Sequence, residues 1–129
     1  MKSLLIILSI ALASCQQQSK QNDITEFEFT PPSWIIGIWH DGTDSNNFTF
    51  SSDNVVLDSP AASTSINFKV AYSSATVTED VNSDSEYKFT ISTTGVNQTY
   101  QFVKASVTTL NYSLTTSGIT SGPFLLTKQ

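Results

Sequence analysis

The stretch that decides the fold is residues 86–102, EYKFTISTTGVNQTYQF. Its two halves each alternate apolar with polar side chains, and the apolar positions are Tyr87, Phe89, Ile91, Tyr100 and Phe102. A period of two residues is typical of a β-strand with one buried face, because successive side chains point to opposite sides of the strand. Gly95 lies between the two runs and indicates a turn. The stretch therefore predicts two antiparallel strands joined by a hairpin.

The same alternation recurs along most of the chain. It is found at Phe27 and Phe29; Phe48 and Phe50; Ile66, Phe68 and Val70; Leu110, Tyr112 and Leu114; and Phe124 and Leu126. Turn-forming residues separate these runs about every ten residues, a spacing typical of all-β domains. An open sheet would leave exposed edges, and closure into a barrel removes them. We therefore predict a single antiparallel up-and-down β-barrel of about eight strands, with one short 3₁₀ turn at 32–35 before the first long strand.

The amino-terminal residues predict export. Lys2 supplies a positive start, residues 4–12 are apolar except for Ser9, and small residues precede Cys15. This order is typical of a secretory signal, and the apolar run is far shorter than the ~20 residues of a membrane-spanning helix. The sequence therefore predicts a cleaved signal at 1–14, a polar tether at 15–23 and one domain at 24–129.

The tetrapeptide Leu12-Ala13-Ser14-Cys15 resembles the lipobox of bacterial lipoproteins. The resemblance implies cleavage before Cys15, acylation of its thiol, and attachment to a membrane through the acyl chains. Gln16 stands where an aspartate would favour retention in the inner membrane. The resemblance therefore implies an outer-membrane lipoprotein of the cell envelope that faces the periplasm.

The composition narrows the chemistry further. Cys15 is the only cysteine, arginine is absent, and removal of the signal leaves five lysines against eleven acidic residues. Nucleic-acid binding depends on Lys and Arg contacts to phosphate, so we expect no nucleic-acid partner. Once Cys15 is acylated, no thiol is left for a disulfide or a Cys/His metal site, so we expect no metal and no cofactor.

Several short segments together resemble the small lipocalin-like lipoproteins of Bacteroidetes. They are Pro32–Trp39, which contains Gly-x-Trp; Phe48-Thr49-Phe50; Asp53-Asn54-Val55; Tyr100–Lys104; and Leu125–Lys128. In lipocalins, that tryptophan closes one end of the barrel and a cationic side chain from the last strand packs on it. The resemblance implies a barrel floor of Gly37, Trp39 and Lys128. The alternative is that Trp39 is ordinary core and Lys128 is a solvated residue.

The same resemblance implies that the domain binds a small hydrophobic ligand, with Trp34, Trp39, Tyr87 and Tyr112 as candidate lining residues. The ten candidate inward-facing aromatic side chains, each burying ~150–250 Å², could instead fill a small interior. A filled core favours a protein-interaction or inhibitor module, whose protein partner the sequence does not identify.

The sequence offers little support for an enzyme. His40 and Asp41 are residue types of a Ser-His-Asp triad, but the sequence contains no Gly-x-Ser-x-Gly elbow for the serine. Residues 41–46 lack the residue order of a calcium loop. The acidic residues at 79–86 fall in a polar segment that predicts a solvated loop. We predict a non-enzymatic protein.

Overall fold

The computed structural model describes residues 27–129, so the predicted signal at 1–14, the whole tether at 15–23 with Cys15, and the first three residues of the predicted domain lie outside the described residues. Nine β-strands dominate the described part: β1 Gly37–His40, β2 Asn47–Phe50, β3 Val55–Ser59, β4 Thr64–Asn67, β5 Thr76–Asn82, β6 Glu86–Thr93, β7 Val96–Lys104, β8 Thr109–Thr116 and β9 Ile119–Lys128. A 3₁₀ turn, Pro60–Ala62, joins β3 to β4, and a single helical turn, α1 Phe68–Ala71, follows β4. Among these residues, no helix is long and apolar enough to cross a membrane.

All nine strands form one antiparallel sheet in the order β4-β3-β2-β1-β9-β8-β7-β6-β5. The sheet curls into a half-barrel, which confirms the all-β prediction at this level. The first strand pairs with the last, through Trp39 with Lys128 and His40 with Thr127. The hydrogen-bonded ladder has two ends, β4 and β5, which are neighbours in the chain but not in the sheet. The sheet has nine strands where about eight are predicted, and its hydrogen-bonded ladder is not closed between β4 and β5, which leaves an open seam there.

One run of alternating residues does not form the strand that it predicts. Ile66 lies in β4, but Phe68 and Val70 belong to α1. The Asn67 side chain accepts a hydrogen bond from the backbone of Val70 and so caps the helical turn. The turn places the fully buried ring of Phe68 in the core and leaves Val70 68 % exposed. Because an asparagine cap satisfies backbone donors locally, it competes with continuation of the β-ladder.

The segment at 27–31, here called the strap, is also not a strand. It crosses the seam and places Phe29 in the core, where its ring centroid lies 5.1 Å from that of Phe89. The strap is held by side chains of β5: Thr30 donates its backbone N–H to the Glu79 carboxylate at 2.7 Å, and the Asn82 amide donates to the Thr30 carbonyl at 2.6 Å. After it, Ile35 donates to the Pro32 carbonyl at 3.0 Å, in the short turn that the sequence predicts.

The concave side of the sheet is filled by apolar side chains. Phe102 lies near the middle of this core, with its ring centroid 5.0 Å from Phe50, 5.1 Å from Phe48 and 5.2 Å from Tyr112. The buried hydrophobic residues of the described part are Phe29, Ile35, Trp39, Phe48, Phe50, Val55, Phe68, Tyr87, Phe89, Ile91, Tyr100, Phe102, Leu110, Tyr112 and Leu126. Edge-to-face and offset packing of such rings stabilises a fold beyond the area that they bury.

Candidate functional site

The structure brings together the three residues assigned to the barrel floor. Trp39 is fully buried, and its indole N–H donates to the carbonyl oxygen of Ile35 at 2.7 Å. The Lys128 ammonium nitrogen lies 5.3 Å from the centroid of the Trp39 ring. Gly37 has a φ of +130°, and a Cβ at this position would come within 2.9 Å of Lys128 Cε. The missing side chain at Gly37 therefore leaves the space in which the Lys128 stem reaches the indole.

The sequence analysis missed a second tryptophan–lysine pair at the same end of the sheet. Lys104, at the end of β7, places its ammonium nitrogen 5.8 Å from the ring centroid of Trp34. The Trp34 indole N–H donates to the Ser83 carbonyl at 2.8 Å, so the ring covers the turn between β5 and β6. No sequence pattern pairs Trp34 with Lys104, because their contact depends on how far the sheet curls. This end of the sheet, here called the closed end, therefore contains two indoles, each with a cation beside its ring.

We expect Lys128→Met to lower the free energy of unfolding by about 0.5–1 kcal/mol, because it removes the cation from the Trp39 ring and keeps a similar unbranched stem. Urea denaturation followed by circular dichroism measures the change. Lys88→Met, on β6, is the control, since no cation–aromatic contact involves Lys88 among the described residues. Equal losses in the two variants would contradict a role for the Lys128–Trp39 contact.

The four candidate lining residues do not surround a common space in the described structure. Tyr87 is fully buried, and its hydroxyl donates to the Glu79 carboxylate. Burial, together with this carboxylate, raises the pKa of Tyr87 far above its ordinary value. Tyr112 is 3 % exposed, and burial also raises its pKa. Both rings belong to the packed core with Trp39, whereas Trp34 is half-buried and packs against the core at the closed end.

The described structure has two grooves outside the packed core, and no buried core residue lines either of them. The first, of about 440 Å³, is lined by Ile38, Asn47, Thr49, Asp58, Pro60, Ser63, Thr64, Ser65 and Gln129. The second, here called the wall groove, has about 530 Å³ and is lined by Asp41, Thr43, Ser45, Asn46, Pro123, Phe124 and Leu125. Both volumes fall within the range of small-molecule binding pockets, which typically measure ~300–1,000 Å³.

The loop that forms one side of the wall groove is held in shape by Asp41. Its carboxylate accepts hydrogen bonds from the backbone N–H and hydroxyl of Thr43, at 2.8 and 2.9 Å, and from the backbone and side chain of Asn46, at 3.1 and 3.2 Å. Partial burial acts to raise the pKa of Asp41, but these bonds outweigh it and hold the pKa below its ordinary value. Asp41 is therefore ionised at neutral pH. The loop is a structured connection between β1 and β2.

The acidic segment at 79–86 differs from the expected solvated loop. Glu79 and Asp80 belong to β5, Glu86 begins β6, and only Asp84 lies in the turn between the two strands. Glu79 points to the strap and accepts hydrogen bonds from Thr30 and Tyr87. Its role in the structure is to fasten the amino-terminal segment to the sheet. In the described part of the chain, no three His, Cys, Asp or Glu residues group as metal ligands.

Charge is distributed unevenly over the outer surface. The sequence from Phe89 to Thr127 contains a single charged residue, Lys104, whereas nine acidic residues lie between Glu28 and Glu86. The outward faces of β7, β8 and β9, here called the uncharged wall, therefore carry mainly hydroxyl, amide and aliphatic groups. Within residues 27–129, six of the eight large exposed hydrophobic residues fall in this carboxyl-terminal part: Val96, Val103, Val107, Ile119, Phe124 and Leu125.

The side chains of the uncharged wall are aligned in rows across its neighbouring strands. Val103, Asn111 and Leu125 are direct neighbours on β7, β8 and β9, so two exposed aliphatic side chains lie in one row. The hydroxyls of Thr115 and Thr120 lie 2.8 Å apart across β8 and β9. Exposed aliphatic groups among uncharged polar ones, with charge depleted, are features of the centre of protein–protein interfaces. No family model, curated protein or solved structure matches this chain.

Proposed function

We propose that this chain is a non-enzymatic protein-interaction module of the bacterial cell envelope, related to lipocalin-like lipoproteins and anchored through acyl chains on Cys15. The single observation that carries the proposal is the contrast between its two sides. Fully buried aromatic rings such as Phe48, Phe89 and Phe102 fill the concave side, while the uncharged wall exposes aliphatic side chains to solvent. A domain with a filled interior and an apolar outer surface is suited to binding a protein on its outside.

A small hydrophobic ligand is the second candidate. It is favoured by the wall groove, where Phe124 and Leu125 are 44 % and 58 % exposed. In this version the ligand lies at the edge of β9, outside the packed core, and not in a central cup. Native mass spectrometry of detergent-purified protein distinguishes the candidates, because a co-purified small molecule adds its own mass to that of the acylated chain.

The proposed anchor predicts a large change in location. We expect Cys15→Ala to move the protein from the membrane fraction to the soluble envelope fraction or to leave it with an uncleaved signal, because stable anchoring requires two or more acyl chains. Mass spectrometry of the amino-terminal peptide measures acylation directly, and Ser14→Ala is a control that keeps the thiol. An unmodified Cys15 in membrane-bound wild-type protein would refute the lipid anchor.

The proposed interaction surface is tested in living cells with a photo-crosslinking amino acid. We expect Val103→benzoylphenylalanine to form a discrete covalent adduct with another protein upon irradiation, since Val103 is an exposed aliphatic residue of the uncharged wall. Ser52→benzoylphenylalanine, at an exposed turn between β2 and β3, is the matched control. Identical adducts at both positions, or none at position 103, would count against the wall as the binding surface.

A further inference from the structure

The sheet contains a second discontinuity, where β1 leaves β9. β1 is only four residues long and pairs with β9 at Lys128 and Thr127 alone, whereas β9 extends back to Ile119. Beyond His40 the chain turns away into the loop at 41–46. The side of β9 that faces β1 therefore has no strand beside residues 119–126 in the described structure, and the wall groove occupies this position.

Hydrogen bonds on either side of β9 fix the direction of its backbone groups. Lys128 donates its N–H to Thr108, on the β8 side, at 2.8 Å, and Gln129 donates to Ile38, on the β1 side, at 2.9 Å. Because successive residues of a strand face opposite neighbours, the N–H and C=O of Leu125 point to the β1 side, as those of Thr127 do. Thr127 pairs with His40, but on this side of β9 the N–H and C=O of Leu125 have no backbone hydrogen-bond partner among the described residues.

The surroundings of this unpaired backbone are suited to a peptide. The side chains of Phe124 and Leu125 flank it on the two faces of β9, and both are exposed. On the opposite side of the groove, the loop holds the ionised carboxylate of Asp41, the one charged group among the described residues that line the groove. The loop is fixed further by a hydrogen bond of 3.1 Å from Ala61 to the Asp44 carbonyl. A rigid groove loses little conformational entropy when it binds a ligand.

We infer that the wall groove binds an extended peptide segment of the partner protein, which pairs with the N–H and C=O of Leu125 as a short added strand. The inference rests on the proposed interaction function and names the site and the chemistry of the partner. An added strand satisfies backbone groups that an apolar small molecule leaves unpaired. Its apolar side chains contact Phe124 and Leu125, and a Lys or Arg side chain reaches Asp41.

The neighbouring residues limit the length of the added strand. Pro123 has no N–H to donate, and Thr127 is already paired with β1. Between Pro123 and Thr127, the N–H and C=O of Leu125 are therefore the one complete donor–acceptor pair of the β9 backbone that the groove offers to a partner. Side-chain contacts on both faces of β9 supply the remaining affinity and the specificity. Pro123 also blocks pairing of β9 with a long exposed strand, which protects the chain from edge-to-edge aggregation.

The experiment uses a random peptide library displayed on phage, with the purified domain carrying Cys15→Ala as bait. We expect enriched peptides to alternate apolar and polar residues and to contain Lys or Arg. The decisive variant is Leu125→Pro, which removes the N–H that faces the groove together with the leucine side chain, while the N–H groups that face β8 remain in place. We expect it to weaken binding of a selected peptide about tenfold or more, the effect of losing one directed hydrogen bond and its alignment. Leu125→Ala keeps the N–H, and Val103→Ala lies outside the groove; both should lose less.

Hydrogen exchange of the Leu125 amide in unaltered bait provides a measurement that does not depend on the folding of a variant. We expect its exchange to slow about tenfold or more when a selected peptide saturates the protein, because the N–H then donates to the peptide. Absence of any enriched peptide, equal binding to Leu125→Pro, or unchanged exchange at Leu125 would overturn the inference. Photo-crosslinks at position 103 with no protection of Leu125 would leave the interaction function standing and exclude the groove as its site.

Discussion

Trp39→Ala is expected to lower the free energy of unfolding by about 3–5 kcal/mol, the range for removing a large aromatic side chain from a packed core. The indole is fully buried, packs below the Lys128 ammonium, and donates its N–H to Ile35, which ties the turn at 32–35 to β1. Its loss leaves a cavity and an unpaired carbonyl at the closed end of the sheet. Urea denaturation followed by tryptophan fluorescence from Trp34 and by circular dichroism measures the effect.

Trp34→Ala is the matched control for this prediction. Trp34 has the same chemistry, lies at the same end of the sheet and also has a lysine beside its ring, but it is only half-buried. We expect this variant to lose less than half as much stability as Trp39→Ala. If the two losses were equal, the depth of burial at the closed end would not determine the contribution of each indole.

Gly122→Ala is expected to lower the free energy of unfolding by about 2–4 kcal/mol, since it combines an unfavourable backbone conformation with a steric clash. Gly122 has a φ of +102°, and a Cβ there would come within 2.7 Å of the Tyr112 carbonyl oxygen. That oxygen belongs to β8, so the clash cannot be relieved by the rotation of a flexible side chain. Thermal unfolding followed by circular dichroism measures the loss.

Gly118→Ala separates the two contributions to this effect. Gly118 also has a positive φ, +85°, but a Cβ there meets no atom within 4 Å. We expect a loss of about 1 kcal/mol from the backbone conformation alone. A loss at Gly118 as large as that at Gly122 would show that crowding against β8 contributes nothing.

The sequence predicts the β-strands well where both faces of a strand have a constant environment. β6 and β7 follow the alternation at Tyr87, Phe89, Tyr100 and Phe102 without interruption, because each strand has one face in the core and one in solvent. The alternation fails at Phe68, where both a strand and a helical turn would bury the ring. The cap at Asn67 decides between them, and its effect is local and independent of the hydrophobic period.

The candidate sites, like Phe68, depend on features that the local sequence pattern does not contain. Gly37, Trp39 and Lys128 meet because β1 pairs with β9, an arrangement that the family resemblance implies and that spacing alone does not. Whether the interior is full depends on the curl of the sheet and on the position of Phe29, neither of which is a property of local sequence. The wall groove depends on a difference in length between β1 and β9, and no sequence feature near Leu125 predicts this groove.

Because of the seam, the order of the strands along the chain could be permuted without changing the order of the strands in the sheet. Its strands follow one another around the sheet in sequence order, except that β4 and β5 are separated and β1 and β9 are adjacent. A circular permutant that begins at Ala75, joins Gln129 to Phe27 through a flexible linker and ends at Tyr72 would place every strand beside its neighbour in sequence. The most distant strand pair of the native chain would then become a local one, and proteins with more local contacts fold faster. The break in the ladder therefore marks the position at which new chain termini could be placed while the sheet keeps its architecture.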